Sequence, residues 1–199
     1  YEPIRKINEF IEKVPNSPLN EELKATRVAE ARFLRAFSYF AMVKRYGGIP
    51  LILKAQQLTD QEEELYPKRD TEEAVYNFII SEISEIANEL PEEVTGGDLG
   101  RATKYAALAL KSRAALYAAS IAQFGKVQLD GVVGISAEKA KDFYQTSYDA
   151  SKEIINSGKF ALYNQDADKA TNFKNIFLIK DNCVPFFKTA FHFRSMHLL

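Results

Sequence analysis

The chain has 199 residues, of which 46% are hydrophobic and 27% are charged, a balance typical of one globular domain. Its 26 lysines and arginines are matched by 27 aspartates and glutamates, which argues against a nucleic-acid partner or an anionic membrane surface. A single cysteine excludes an internal disulfide. No apolar run approaches the roughly 18 residues that span a bilayer, so the sequence predicts no transmembrane helix.

The clearest helix of the sequence is predicted from Glu21 to Tyr46. Its apolar residues recur at spacings of four and three and form a stripe with a second face beside it. Two apolar faces indicate neighbours on two sides, as in an inner helix of a layered array. Gly47 caps the helix and Pro50 prevents its continuation. The stripe consists of Ala29, Phe33, Ala36, Phe40 and Val43, and Leu34, Phe37 and Ala41 widen it.

A second strong helix is predicted between Asp70 and Pro91. Asp70 is placed to cap its first turn, and Glu73 to reach back to the cap, as in a capping box. General acid–base chemistry would need a pocket that raises the pKa of a carboxyl group, which a regular acidic stripe does not supply. We therefore interpret the glutamates of this helix as a solvated face. The apolar set is Val75, Phe78, Ile79, Ile83, Ile86 and Leu90, and the acidic set is Glu72, Glu73, Glu82, Glu85 and Glu89.

Three further helices are predicted by the same criteria. Residues 101–124 carry nine alanines between Ala102 and Ala122, which favours a helix that packs closely against its neighbours and ends at Gly125. Another helix follows Ser136, its expected cap, and ends at residues 157–158, while a weaker one covers residues 4–14. Helix pairs with small residues at their crossings are typical of tetratricopeptide-like arrays. The sequence therefore predicts an all-α fold of tetratricopeptide-like antiparallel helix pairs.

Motifs for catalysis or metal binding are scarce. The glycine-rich stretch at residues 95–101 lacks the Gly-Lys-Ser/Thr ending and the preceding strand of a phosphate-binding loop, so we interpret it as a helix connection. The single Cys and both His residues lie beyond residue 182, which leaves no nucleophile–base pair or zinc ligand set upstream. Asn164, Asp166 and Asp168 do not match the spacing of a calcium loop, and a polar turn is the favoured interpretation. We predict no catalytic residue, no cofactor and no metal site.

Four groups of residues occur in a fixed order between residues 29 and 162. They are Ala29-Glu30-Ala31-Arg32-Phe33-Leu34-Arg35-Ala36 with Tyr39-Phe40 and Tyr46-Gly47-Gly48-Ile49-Pro50-Leu51; Arg69-Asp70-Thr71 with Val75-Tyr76, Ile79 and Leu90-Pro91; Gly100-Arg101-Ala102-Thr103-Lys104 with Ala107, Ala109-Leu110, Arg113 and Leu116-Tyr117; and Ile154-Ile155 with Ser157-Gly158 and Leu162. Each group is weak alone. In this order they resemble the SusD/RagB nutrient-binding lipoproteins of Bacteroidetes outer membranes.

The resemblance implies an all-α, SusD-like fold, truncated in this chain to its N-terminal portion. It implies capture rather than catalysis, because members bind glycans or other nutrients at the cell surface and deliver them to a TonB-dependent, SusC-like transporter. Members are held at the outer membrane through a lipidated N-terminal Cys. The chain begins at Tyr1, after that Cys, so we expect a cell-surface lipoprotein whose targeting segment and anchor lie outside this sequence.

The resemblance assigns no ligand-binding residue in this chain. Sugar capture takes an aromatic face and polar groups held in a concave site, but we interpret the loop aromatics Tyr66, Phe124 and Tyr163 as packing residues near helix ends. Arg101 and Lys104 are expected to pair with acids or to cap carbonyl groups.

Two other functions stay open. A tetratricopeptide-like scaffold that binds a peptide or protein partner would present a groove lined by exposed Asn, Lys or Arg. A glycoside hydrolase would need two catalytic carboxylates, which nothing distinguishes among the 27 acids.

Composition changes abruptly near the C-terminus. Residues 183–199 contain the only Cys, both His residues and four of the 14 phenylalanines, but no Asp or Glu. These phenylalanines keep no helix or strand period, which favours a frameshift or truncation product over a functional basic-aromatic tail. The predicted organisation is a SusD-like N-terminal helical domain over residues 1–182 and an atypical tail over residues 183–199.

Overall fold

The computed structural model describes residues 1–178, and these form seven α-helices. No strand occurs within residues 1–178, where one isolated bridge joins Gln128 and Val133. The all-α prediction is confirmed, whereas the predicted boundary at residue 182 and the tail lie outside the described residues. In chain order the helices are α1 (Glu2–Lys13), α2 (Glu21–Tyr46), α3 (Glu62–Leu65), α4 (Glu72–Ile86), α5 (Lys104–Phe124), α6 (Ala140–Asn156) and α7 (Lys169–Leu178).

Helix α2 begins and ends where the sequence predicts. The side-chain oxygen of Asn20 accepts a hydrogen bond from the N–H of Leu23 at 2.8 Å, which caps the first turn. Gly47 ends the helix with a φ of +68°, in the left-handed region that glycine enters without strain. A side chain at Gly48 would clash with the carbonyl oxygen of Asp70, so this turn packs tightly against the segment that enters α4.

Two capping predictions are wrong. Thr71, not Asp70, caps α4, and its hydroxyl oxygen accepts a hydrogen bond from the N–H of Ala74 at 3.1 Å. The carboxylate of Asp70 instead accepts a hydrogen bond from the backbone that follows α2. Because the cap shifts by one residue, Glu73 no longer occupies the capping-box position. Ser136 makes no side-chain capping bond, and a 3-10 turn precedes α6.

Side-chain contacts show that α2 and α4 are antiparallel. Tyr39 packs edge-on against Phe78, with ring centroids 5.3 Å apart. One turn earlier in α2, Arg35 donates a hydrogen bond to Glu82, which lies one turn later in α4. The two helices therefore run in opposite directions, as expected for a tetratricopeptide-like pair.

Helices α5 and α6 form a second antiparallel pair. The ammonium group of Lys104, at the start of α5, lies 3.4 Å from Glu153 near the end of α6. Farther along α5, the hydroxyl oxygens of Ser112 and Ser151 are 2.7 Å apart. Small residues let the axes of α5 and its neighbours approach closely, and the buried alanines are Ala107, Ala114, Ala115, Ala118, Ala119 and Ala122.

The hydrophobic core lies between α2, α4 and α5. The predicted α2 stripe is buried throughout, and so is the apolar set predicted between Asp70 and Pro91 except Phe78, which is half-buried. The predicted second face of α2 is only partly correct, because Leu34 is exposed, whereas Glu30 and Arg35 are buried. None of the helices within residues 1–178 is both long enough and apolar enough to cross a bilayer.

Candidate functional site

A polar depression lies between the start of α5 and the end of α6. It has a volume of about 470 Å³ and is lined by Lys104, Tyr105, Asp149, Lys152, Glu153, Asn156 and Ser157. The ammonium group of Lys104 is held between Asn88, at 3.0 Å, and Glu153. The side-chain amide of Asn156 has no hydrogen-bond partner within residues 1–178, so it is free to bind a ligand hydroxyl or a peptide group.

The aromatic ring below this depression is turned away from solvent. Tyr105 is buried and packs edge-on against Phe160, with ring centroids 5.1 Å apart. Lys159 lies 5.9 Å from the centre of the same ring and pairs with Glu92 at 2.6 Å. The depression therefore offers charged and amide groups but no open aromatic face for a sugar ring.

Sequence analysis did not single out the α6 residues of this depression. Asp149, Lys152 and Asn156 recur at spacings of three and four, the same periodicity that identifies the buried face of the helix. This spacing of polar residues is the one signal in the sequence that could have indicated the lining of the depression, but any solvated helix face shows it too. Only the position of α5 beside it makes these three residues into a concave surface.

The three loop aromatics that the sequence analysis interprets as packing residues lie on separate segments. Tyr66 follows α3, Phe124 ends α5, and Tyr163 follows α6. Tyr66 and Phe124 are largely exposed, so the packing interpretation is wrong for these two, whereas Tyr163 is partly buried. No contact joins any two of these rings among residues 1–178, so they do not form a common sugar platform.

The solvated-face interpretation of the five glutamates between Asp70 and Pro91 is wrong for two of them. Glu72 and Glu82 are only 6% and 4% exposed. Glu72 accepts a hydrogen bond from the backbone N–H of Gly134 at 2.6 Å, and burial raises the pKa of its carboxyl group. Glu82 accepts hydrogen bonds from Arg32, at 2.6 Å, and from Arg35. Both carboxylates hold elements of the fold together.

The buried glutamates are also too far apart for the acid pair of a glycoside hydrolase. Glu72 and Glu82 are separated by ten residues of α4, which corresponds to about 15 Å along the helix axis. Retaining and inverting enzymes place their two carboxyl groups roughly 5 to 9.5 Å apart. The two buried acids of this helix therefore do not supply such a pair.

The other polar motifs also have structural partners. Arg101 pairs with Glu30 and Asp98, both at 2.7 Å, which confirms the expected pairing with acids. The glycine-rich stretch forms the connection between α4 and α5, as predicted. Asp168 accepts hydrogen bonds from Thr171 at the start of α7, which is the behaviour of a polar turn. Within the described chain, no three His, Cys, Asp or Glu side chains are grouped to hold a metal ion.

Antiparallel helix pairs that pack side by side are the architecture of a helical-repeat protein. The chain belongs to the SusD-like family, since the family model described as "Starch-binding associating with outer membrane" matches residues 1–116. A SusD-like protein of Bacteroides ovatus is 29% identical over 174 residues, which are 86% of this chain and 27% of that protein.

Solved structures show the same fold. A SusD-like protein from Bacteroides fragilis is 30% identical, with a TM-score of 0.64 over 90% of this chain and 30% of that chain. A second structure from that organism, a SusD-like carbohydrate-binding protein, is 24% identical, with a TM-score of 0.62 over 80% of this chain and 26% of that chain. The chain thus spans less than a third of the length of these relatives.

Proposed function

We propose that this chain is part of a non-catalytic protein that captures glycans at the cell surface for delivery to a TonB-dependent, SusC-like transporter. Membership of the SusD-like family carries the proposal. The family is described by starch binding and association with the outer membrane, and one relative of known structure is a carbohydrate-binding protein. The position proposed for the intact gene product is the outer-membrane surface, held by a lipid anchor.

Affinity electrophoresis tests capture against catalysis. The 199-residue chain is run in native gels that contain neutral or acidic polysaccharides, beside a protein of similar size and charge that does not bind them. Retarded migration with no release of reducing ends supports the proposal. Release of oligosaccharides overturns its non-catalytic part, and unchanged migration with every polysaccharide overturns glycan capture by this chain.

Co-purification tests delivery to a transporter. The chain is co-expressed with a SusC-like transporter, extracted in detergent and passed through a size-exclusion column. Co-elution with the transporter supports delivery, and separate elution with and without bound glycan overturns it for this chain.

The α5–α6 depression favours a second candidate function, a scaffold that binds a peptide. Its lining contains Lys104, Lys152 and Asn156, the residue types that tetratricopeptide-like arrays use to hold extended peptides. Selection from a displayed peptide library tests it. Peptides that bind the wild-type chain and lose affinity with Lys152→Ala and Asn156→Ala support this function, and equal affinity for the variants overturns it.

A further inference from the structure

Acidic residues are unevenly distributed along this chain. No Asp or Glu occurs at residues 31–59 or at residues 99–129, which include most of α2 and all of α5. Each stretch contains five cationic residues. Carboxylates elsewhere pair with one half of these cations, and within residues 1–178 the other half has no such partner. The paired set is Arg32, Arg35, Lys54, Arg101 and Lys104, and the unpaired set is Lys44, Arg45, Lys111, Arg113 and Lys126.

Helix α2, whose acid-free part begins at residue 31, and the acid-free helix α5 lie side by side in the same direction. Glu30, near the start of α2, pairs with Arg101, just before α5, at 2.7 Å. About three turns later, Phe40 packs edge-on against Tyr117, with ring centroids 5.5 Å apart. The C-terminal half of α2 therefore meets α5 around Tyr117, which brings Lys44 near Arg113.

Lys44 forms a cluster with two other unpaired cations, Arg45 and Arg113. The ammonium group of Lys44 lies 4.5 Å from the ring centre of Phe40 and 5.8 Å from that of Tyr117. Partial burial, and then the nearby charges of Arg45 and Arg113, lower the pKa of Lys44. Like charges that lie near one another repel, and within residues 1–178 none of the three cations pairs with a carboxylate that would offset this repulsion. A bound anion would remove this repulsion.

The same surface exposes apolar and aromatic groups. Tyr117 is 45% exposed and Leu116 is 48% exposed, although both lie in the middle of α5. Arg113, Tyr117 and Phe124 follow one another at spacings of four and seven, so they share one face of the helix. A guanidinium group and aromatic rings on one face can bind an anionic substituent and the face of a sugar ring at the same time.

We propose that the surface formed by Lys44, Arg45, Arg113, Leu116 and Tyr117 binds an acidic glycan, one that carries carboxylate or sulfate groups. The inference rests on the proposed function and names the class of glycan. Charge complementarity carries it, because three clustered cations without carboxylate partners match an anionic polymer and gain no charge attraction from a neutral one.

Parallel affinity gels with an acidic and a neutral polysaccharide test this inference. The acidic probes are polygalacturonate and dextran sulfate, and the neutral probe is dextran. Replacing Lys44 by Met keeps its apolar stem over the rings, and replacing Arg113 by Gln keeps a polar side chain. From the strength of exposed ion pairs, we expect each substitution to weaken acidic binding about 2- to 5-fold and the double variant about 5- to 20-fold.

A control variant separates this surface from general charge attraction. Lys141→Met with Lys169→Gln removes the same number of charges from exposed positions on α6 and α7. Unchanged acidic binding by this control supports the inference, provided that all variants show wild-type circular dichroism and melting. Equal losses in the control and in the Lys44/Arg113 double variant overturn it.

Three further outcomes also decide the matter. Binding of dextran as tight as binding of the acidic probes overturns the inference and leaves glycan capture standing. Competition by polyglutamate as effective as competition by polygalacturonate identifies an acidic polypeptide as the occupant, which also overturns it. Failure to bind any polysaccharide overturns both the inference and glycan capture by this chain.

Discussion

Replacing Glu82 by Gln is expected to destabilise the fold more than any other single loss of a carboxylate from α4. The side chain of Glu82 is 4% exposed and that of its partner Arg35 is 8% exposed. The substitution leaves the guanidinium group of Arg35 buried with neutral partners only, the side chain of Asn8 and a backbone carbonyl. Removing one member of a buried ion pair costs about 3 to 5 kcal/mol, and we expect a loss of that size here.

Glu85→Gln is the matched control, because Glu85 pairs with the same Arg32 that bonds to Glu82 but is 58% exposed. An exposed ion pair contributes at most about 1 kcal/mol, so the losses in the free energy of unfolding caused by the two substitutions should differ by at least about 2 kcal/mol. The free energies of unfolding are measured by urea titration followed by far-UV circular dichroism. Equal losses from the two variants would refute the buried-pair argument. Arg35→Met combined with Glu82→Leu should recover most of the stability lost by Glu82→Gln, because it removes both charges at once.

Three other substitutions test separate parts of the structure. Ala114→Leu should lower the free energy of unfolding by about 1 to 3 kcal/mol through overpacking, whereas Ala109→Leu, at a half-buried position, should cost less, and urea titration compares them. Gly48→Ala should lower the melting temperature because its new methyl group meets a backbone carbonyl, while Gly97→Ala, which meets no atom within 4 Å, should not. Burial raises the pKa of Glu72 above its ordinary value of 4.5, so the folded protein holds that proton more tightly than the unfolded chain. The wild-type chain should therefore lose stability relative to Glu72→Gln as pH rises above about 4.5, and parallel pH profiles would contradict this.

The helices were predictable because apolar periodicity and chain-breaking residues are local signals. The stripe of α2 is buried as predicted, and the predicted end at Gly47 is confirmed by a left-handed backbone conformation. The capping error at α4 arose where two candidate residues stand next to each other. Asp70 and Thr71 can both cap a helix. In the structure Thr71 is the cap, and the carboxylate of Asp70 accepts a hydrogen bond from the backbone N–H of Leu51 instead.

The burial of charge could not be predicted from one helix at a time. Periodicity separates the apolar face of a helix from its polar face. In the sequence, a glutamate that bonds to a neighbouring helix cannot be distinguished from one that is exposed to water. One signal was present, since Arg32 and Arg35 in α2 are spaced by three, as are Glu82 and Glu85 in α4. Antiparallel helices bring such pairs into register, but the signal has meaning only after the two helices have been paired.

The candidate site depends even more on tertiary structure. The depression between α5 and α6 is formed by residues that are about 50 positions apart, such as Lys104 and Asn156, and neither helix alone contains a concave surface. The loop aromatics were visible in the sequence, but their separation was not. Sequence reasoning identifies residue types suited to sugar binding and leaves open which of them share one surface.

The arginines of the four sequence motifs fall into two groups. Four of them bond within the fold, and one lies on a surface that is open to a ligand. Arg32, Arg35 and Arg101 each bond to carboxylates inside the helical array, and Arg69 donates hydrogen bonds to backbone carbonyls at the end of α2. Their substitution should change stability before it changes binding, because each of these guanidinium groups already donates hydrogen bonds within the fold. Arg113 belongs to the same motifs, yet it has no carboxylate partner among residues 1–178 and lies exposed beside Lys44. Because no carboxylate within residues 1–178 pairs with Arg113, its charge is free to bind an anion from outside.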